Sequence, residues 1–153
     1  MGKYFVMSMR FNKRSASDFG LVPVDLNMAV NPEDNSVWKR ATLYDFGWGK
    51  ENGFYKYPLL EFEDLFELVL CATDREDVYG AAAIILEKYP EELLHQCELI
   101  CSDCLRKKDF KKVVEVFELR LPLNRCAVKN KAYSQMQCDY ERWKRIAHLA
   151  SKV

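Results

Sequence analysis

Three of the six cysteines of this chain, Cys97, Cys101 and Cys104, form a C-x3-C-x2-C array. Thiolates gathered by a loop can hold a metal ion or a cluster. Here the array continues an apolar pattern. Leu93, Leu94, Cys97, Ile100, Cys101, Cys104 and Leu105 recur at the steps of one helical face, so the spacing predicts a buried stripe in which the thiols act as small hydrophobes. Cys71, Cys126 and Cys138 are too scattered to complete a zinc pattern, and His95 and His148 are the two histidines. No metal and no cofactor is expected.

Other spacings that carry chemistry are incomplete. Glu92-x-x-His95 sets a carboxylate and an imidazole one helical turn apart, half of a di-iron centre, but the sequence has no second Glu-x-x-His, and the pair reads as a helix surface. Asp45-Phe46-Gly47 has the letters of the kinase magnesium motif without its companion loops. Gly47-x-Gly49 lacks the third glycine and the following helix of a phosphate cradle. Both read as a strand running into a turn. The histidines lie in predicted helices, His95 by Glu91 and Glu92 and His148 by Lys144 and Arg145, with no nucleophile, base and orienter together. A small enzyme therefore ranks behind two binding readings.

Those readings come from charge. Zero net charge over 153 residues hides a segregation: residues 1–60 carry 8 basic and 6 acidic groups, 61–119 carry 7 and 15, and 120–153 carry 8 and 2. Glu61, Glu63, Asp64 and Glu67, then Asp74, Glu76 and Asp77, surround a single Arg75. Helix dipoles account for the last three of these acids and less well for the four before them. Glu61, Glu63, Asp64, Glu67, Asp74 and Asp77 are the candidate contacts for a basic protein partner. Arg142, Lys144 and Arg145 interleave with Tyr140 and Trp143, the composition of a nucleic-acid contact. The two aromatics also fall on a predicted core stripe, which makes nucleic acid the second reading. Packing of the basic last helix beside the acidic ones would instead neutralise both within the fold.

A 49% apolar composition with 13% aromatic residues supports a packed core, and 30% charged residues leave no run long enough to span a membrane. Met1-Gly2-Lys3-Tyr4-Phe5-Val6 contains no secretory h-region, and Val6 breaks the myristoylation pattern. With the cysteines read as reduced thiols, the expected compartment is the cytoplasm.

The elements that must position these residues change character near Pro58. Lys3 to Phe11 alternates Phe5, Met7, Met9 and Phe11 with polar or smaller residues, as a strand does, and Val37 to Phe46 reads as a second extended segment. Seven aromatics, Trp38, Tyr44, Phe46, Trp48, Phe54, Tyr55 and Tyr57, crowd this region. A two-strand ribbon cannot bury them, so they must pack on something else or form a homodimer interface. Helical patterns then cover Leu60 to Ala72, Asp74 to Lys88, Pro90 to about Lys107, Asp109 to before Pro122, and about Lys131 to Ala150. Short connections make the first four antiparallel neighbours.

Val78 to Leu86 followed by Tyr89-Pro90-Glu91-Glu92-Leu93-Leu94 resembles one hairpin of the HEAT repeats, which implies a packing style and no site. The cysteine spacing is similar to the cluster motif of radical S-adenosylmethionine enzymes, but those present it from a loop of a larger barrel. In type, a compact, acidic-faced chain without a catalytic set resembles the immunity proteins with which bacteria neutralise toxic nucleases. The expectation is thus an α+β fold, mainly α. A small aromatic-rich β region over 1–57 packs on a five-helix array, bundle or HEAT-like, over 58–153, in one compact domain that binds another protein without catalysis.

Overall fold

The computed structural model describes residues 2–7, 15–45 and 50–153. Met9 and Phe11 of the expected first strand, and Phe46, Gly47, Trp48 and Gly49 of the two loop motifs, lie outside the described residues. The chain divides into two compact units, Met1–Ile84 and Ile85–Val153.

The first unit is built on a five-stranded antiparallel sheet. Its strands are β1 (Phe5–Met7), β2 (Val22–Pro23), β3 (Met28–Val30), β4 (Val37–Asp45) and β5 (Lys50–Lys56), in the order β1-β5-β4-β3-β2. Local side chains make the turns. Asp25 Oδ1 accepts the Asn27 N–H at 2.7 Å before β3, and between β3 and β4 Asn31 Oδ1 accepts from Glu33 N–H and Asp34 Oδ1 from Ser36 N–H. Asn35 adopts a φ of 59° in that second turn, a left-handed conformation that asparagine tolerates well. Trp38 fits the turn to the core: its ring is buried while Nε1 donates to Ser36 Oγ at 2.8 Å. Val6, Ala16, Leu21, Ala29, Trp38 and Phe54 form one apolar cluster.

Helix α1 (Phe62–Cys71) and most of α2 (Arg75–Lys88) belong to this unit. β1 is held to α2 at close range. The buried Asp77 carboxylate accepts the backbone N–H groups of Lys3, Tyr4 and Phe5 at 2.9, 2.9 and 3.0 Å. Gly80, one turn on, leaves room for the Phe5 ring, since a Cβ there would lie 2.4 Å from Phe5 Cγ. Gly53 in β5 does the same for the other neighbour, where a Cβ would meet the Val6 carbonyl oxygen at 2.3 Å.

The second unit contains α3 (Pro90–Cys101), a 3-10 turn (Cys104–Arg106), α4 (Lys107–Phe117) and α5 (Tyr133–Ala150). α3 packs on both α4 and α5. Leu93, Leu94, Cys97 and Ile100 of α3, Phe110, Val113, Val114 and Phe117 of α4, and Trp143, Ile146, Ala147 and Ala150 of α5 are buried. Arg125 closes the end of α4. Its guanidinium lies 5.0 Å from the Trp143 ring and donates to the carbonyls of Phe117 and Glu118 at the helix end and of Leu121 and Leu123 beyond it.

The expected mainly helical fold, with a small β region on a five-helix array, is corrected. The sheet has five strands, giving a mixed α and β structure, and the helices are divided between two compact units. Three of the strands escaped the sequence: β2 and β3, one of them containing Pro23, are too short to show a period of two, and in β5 the Asn52-Gly53 pair reads as a turn. The third helix also ends earlier than expected. Ser102 Oγ bonds back to the carbonyls of Glu98 and Leu99, and Asp103 accepts the Leu105 N–H at 2.9 Å to begin the separate turn.

Candidate partner-binding site

The six acids predicted as one binding face have two different fates. On α1 the buried Phe62, Leu65, Phe66 and Val69 take one side of the helix and leave Glu61, Glu63, Asp64 and Glu67 exposed. Among the described residues none of these four side chains enters an ion pair. Asp74 is half-buried and its Oδ1 accepts the Glu76 N–H at 2.9 Å, a cap for α2. Asp77 is 3% exposed, with its oxygens on the β1 backbone. These two acids hold the fold and are not presented to a partner.

The basic residues of α5 also separate. Arg142 is half-buried and grips Glu98 of α3 with two bonds, Nε to Oε2 at 3.1 Å and Nη2 to Oε1. Arg142 beside it holds the Glu98 carboxyl below the usual carboxylate range. Lys144 and Arg145 are exposed, but Trp143 between them and Arg142 is fully buried. The interleaved aromatic is a core residue and not a stacking platform. The internal neutralisation considered from the sequence occurs here as one pair between α3 and α5.

A polar centre that the sequence did not reveal lies among α3, α5 and the segment between α4 and α5. Lys131 Nζ donates to Asp139 Oδ2 at 2.5 Å, to Glu91 Oε1 at 2.8 Å and to the Cys126 carbonyl at 3.1 Å. Gln135 Nε2 donates to Asp139 Oδ1 at 2.9 Å, and Trp143 Nε1 to Cys126 Sγ at 3.4 Å. Asp139 is fully buried. Burial opposes its ionisation, yet the bonds from Lys131 and Gln135 outweigh that and hold its pKa below the ordinary value. Bonds to Asp139 and Glu91 raise the pKa of Lys131, and burial above all pushes the Cys126 thiol up to about 11. The sequence did hold one signal: Asp139 lies on the inward stripe with Trp143, Ile146 and Ala150, where a lone carboxylate needs a cation.

Glu91, Cys126 and Asp139 bring ligand-type atoms within 4.8 Å of one another, the one group of its kind among the described residues. The Lys131 ammonium already bonds both carboxylates, so the residues present fit a structural cation supplied by the chain. The cysteine array does not converge. Cys97 is buried and its thiol is pushed up by desolvation, Cys101 is half-buried with Sγ directed to the Glu98 carbonyl, and Cys104 is exposed in the turn beyond α3. The expected stripe holds through Ile100 and fails at Cys104 and Leu105, the latter 91% exposed.

Comparison of the chain with protein-family models, with curated proteins and with solved structures finds no match. Among the described residues no helix is long and apolar enough to cross a membrane.

Proposed function

We propose that the protein is a non-catalytic binding module that receives a basic protein on the exposed acidic face of α1. The observation that supports this reading is the placement of Glu61, Glu63, Asp64 and Glu67 on solvent, outside every described ion pair, opposite an apolar face that anchors the helix. Charges free of internal partners are available to steer and orient an opposite surface. Arg142 is engaged with Glu98, which leaves the nucleic-acid reading with Lys144 and Arg145 alone. The reading includes a reducing compartment, the cytoplasm, with all six cysteines as free thiols.

The test compares the immobilised chain with a variant carrying Glu61→Lys, Glu63→Lys, Asp64→Lys and Glu67→Lys, using lysate of the source cells and a salt gradient. Basic proteins retained by the unmodified chain and released by salt are expected to pass through the variant unretained. Retention of the same proteins by both would overturn the reading.

A further inference from the structure

Lys107, Lys108 and Lys111 are exposed on α4. Lys107 and Lys108 stand in the first turn, where the helix dipole repels a cation. α4 is anchored by Phe110, Val113, Val114 and Phe117, and among the described residues none of the three lysines enters an ion pair. The one acid of the first turn, Asp109, is engaged by Arg106 at 3.0 Å, so an external anion would relieve the two lysines. α1 shows the inverse: Glu63, Asp64 and Glu67 are exposed at the same i, i+1, i+4 spacing with opposite sign.

We infer that these faces are the two halves of one contact, in which α1 of one copy of the chain docks on α4 of the next. The inference rests on the reading of α1 as a partner-binding face and makes the basic surface it receives the α4 face of a second copy, not a protein basic overall. The two surfaces differ, so the contact is either made twice, reciprocally, in a closed dimer, or made head to tail in rings or open chains. Exposed ion pairs are individually weak and screened by salt, so association depends on concentration and ionic strength.

The experiment is sedimentation equilibrium of the full chain. At low salt the average mass is expected to rise with concentration above 18.0 kDa, and to return to 18.0 kDa in about 1 M salt, where the screening length is about 3 Å. The variant Glu63→Lys, Asp64→Lys, Glu67→Lys and the variant Lys107→Glu, Lys108→Glu, Lys111→Glu are each expected to remain at 18.0 kDa. A chain with all six reversals is expected to associate again. Lys129→Glu, Lys144→Glu, Lys152→Glu, which makes the same change in net charge as the Lys107, Lys108 and Lys111 variant but elsewhere on the surface, is expected to behave as the unmodified chain. The inference is overturned if the unmodified chain stays monomeric at low salt, if the sixfold variant stays monomeric while the unmodified chain associates, or if the control variant loses association too. A monomeric chain that still captures a basic protein through α1 would overturn this inference and leave the preceding one standing.

Discussion

Replacing Asp77 with alanine removes the acceptor of three backbone N–H groups at once, and the three losses are unequal. Phe5 is buried, Tyr4 half-buried and Lys3 exposed. Water replaces the carboxylate readily at Lys3 and partly at Tyr4, whereas the Phe5 N–H has no alternative. A hydrogen bond to a charged group contributes about 1.5–3 kcal/mol, and an orphaned buried donor costs about 1–3 kcal/mol. Counting Phe5 in full, Tyr4 in part and Lys3 hardly at all gives a destabilisation of about 3–4 kcal/mol. Domains of this size are stable by about 5–15 kcal/mol, so the variant loses a large part of its margin. Asp77→Asn is the milder perturbation. Oδ1 receives both Tyr4 and Phe5, and an amide oxygen in that place keeps both bonds, losing only the one to Lys3; about 1 kcal/mol is expected. Urea unfolding followed by circular dichroism measures both variants, and hydrogen exchange at Lys3 to Met7 reports the release of β1. An alanine variant within about 1 kcal/mol of the unmodified chain, with β1 amides still protected, would refute the reasoning.

Gly80→Ala sets two magnitudes against each other: alanine favours a helix interior by about 1 kcal/mol over glycine, but the new Cβ would lie 2.4 Å from Phe5 Cγ and overpacking costs about 1–3 kcal/mol. Net destabilisation is expected in the same urea assay, with partial recovery when Phe5→Ala is added. Asp139 has a depressed pKa when folded, so its contribution is present above the unfolded value of about 3.9 and lost as pH falls through the lower folded value. The stability gap between the unmodified chain and Asp139→Asn should therefore close in acid. Lys131 has a raised folded pKa, so its contribution is complete below about 10.4 and fades above it, and the gap to Lys131→Met should close in alkali. Titration with a thiol reagent should modify the exposed Cys71, Cys104 and Cys138 promptly and spare the buried Cys97 and Cys126 until the chain unfolds; prompt reaction of all six would contradict the packing of α3 and of the Cys126 centre.

Helices were legible because their signals are local. Pro90 opens α3, Phe110, Val113, Val114 and Phe117 mark the inner face of α4, and the acids of α1 stand opposite its apolar residues as the spacing requires. Ser102 and Asp103 carry the local chemistry that ends α3 early, a signal present in the sequence and outweighed by the apparent stripe running on to Leu105. Long-range partners were not legible. Asp77 has the same letter as the solvated Asp64, and only the folded chain brings it to backbone 72 to 74 residues away. Arg142 looked like part of a free basic patch because its partner Glu98 lies 44 residues earlier. The short strands β2 and β3 are defined by their pairing with each other and with β4, which no window of two or three residues contains.

The ammonium of Lys131 is a counterion that the polypeptide carries itself. Bonded to Glu91 and Asp139, it ties the segment before α5 to two helices at a fixed stoichiometry of one. It cannot be diluted away or removed by a chelator. A crosslink through a borrowed ion would follow the composition of the medium, whereas this closure is inherited with the gene and responds only to protons at the extremes of pH and to mutation.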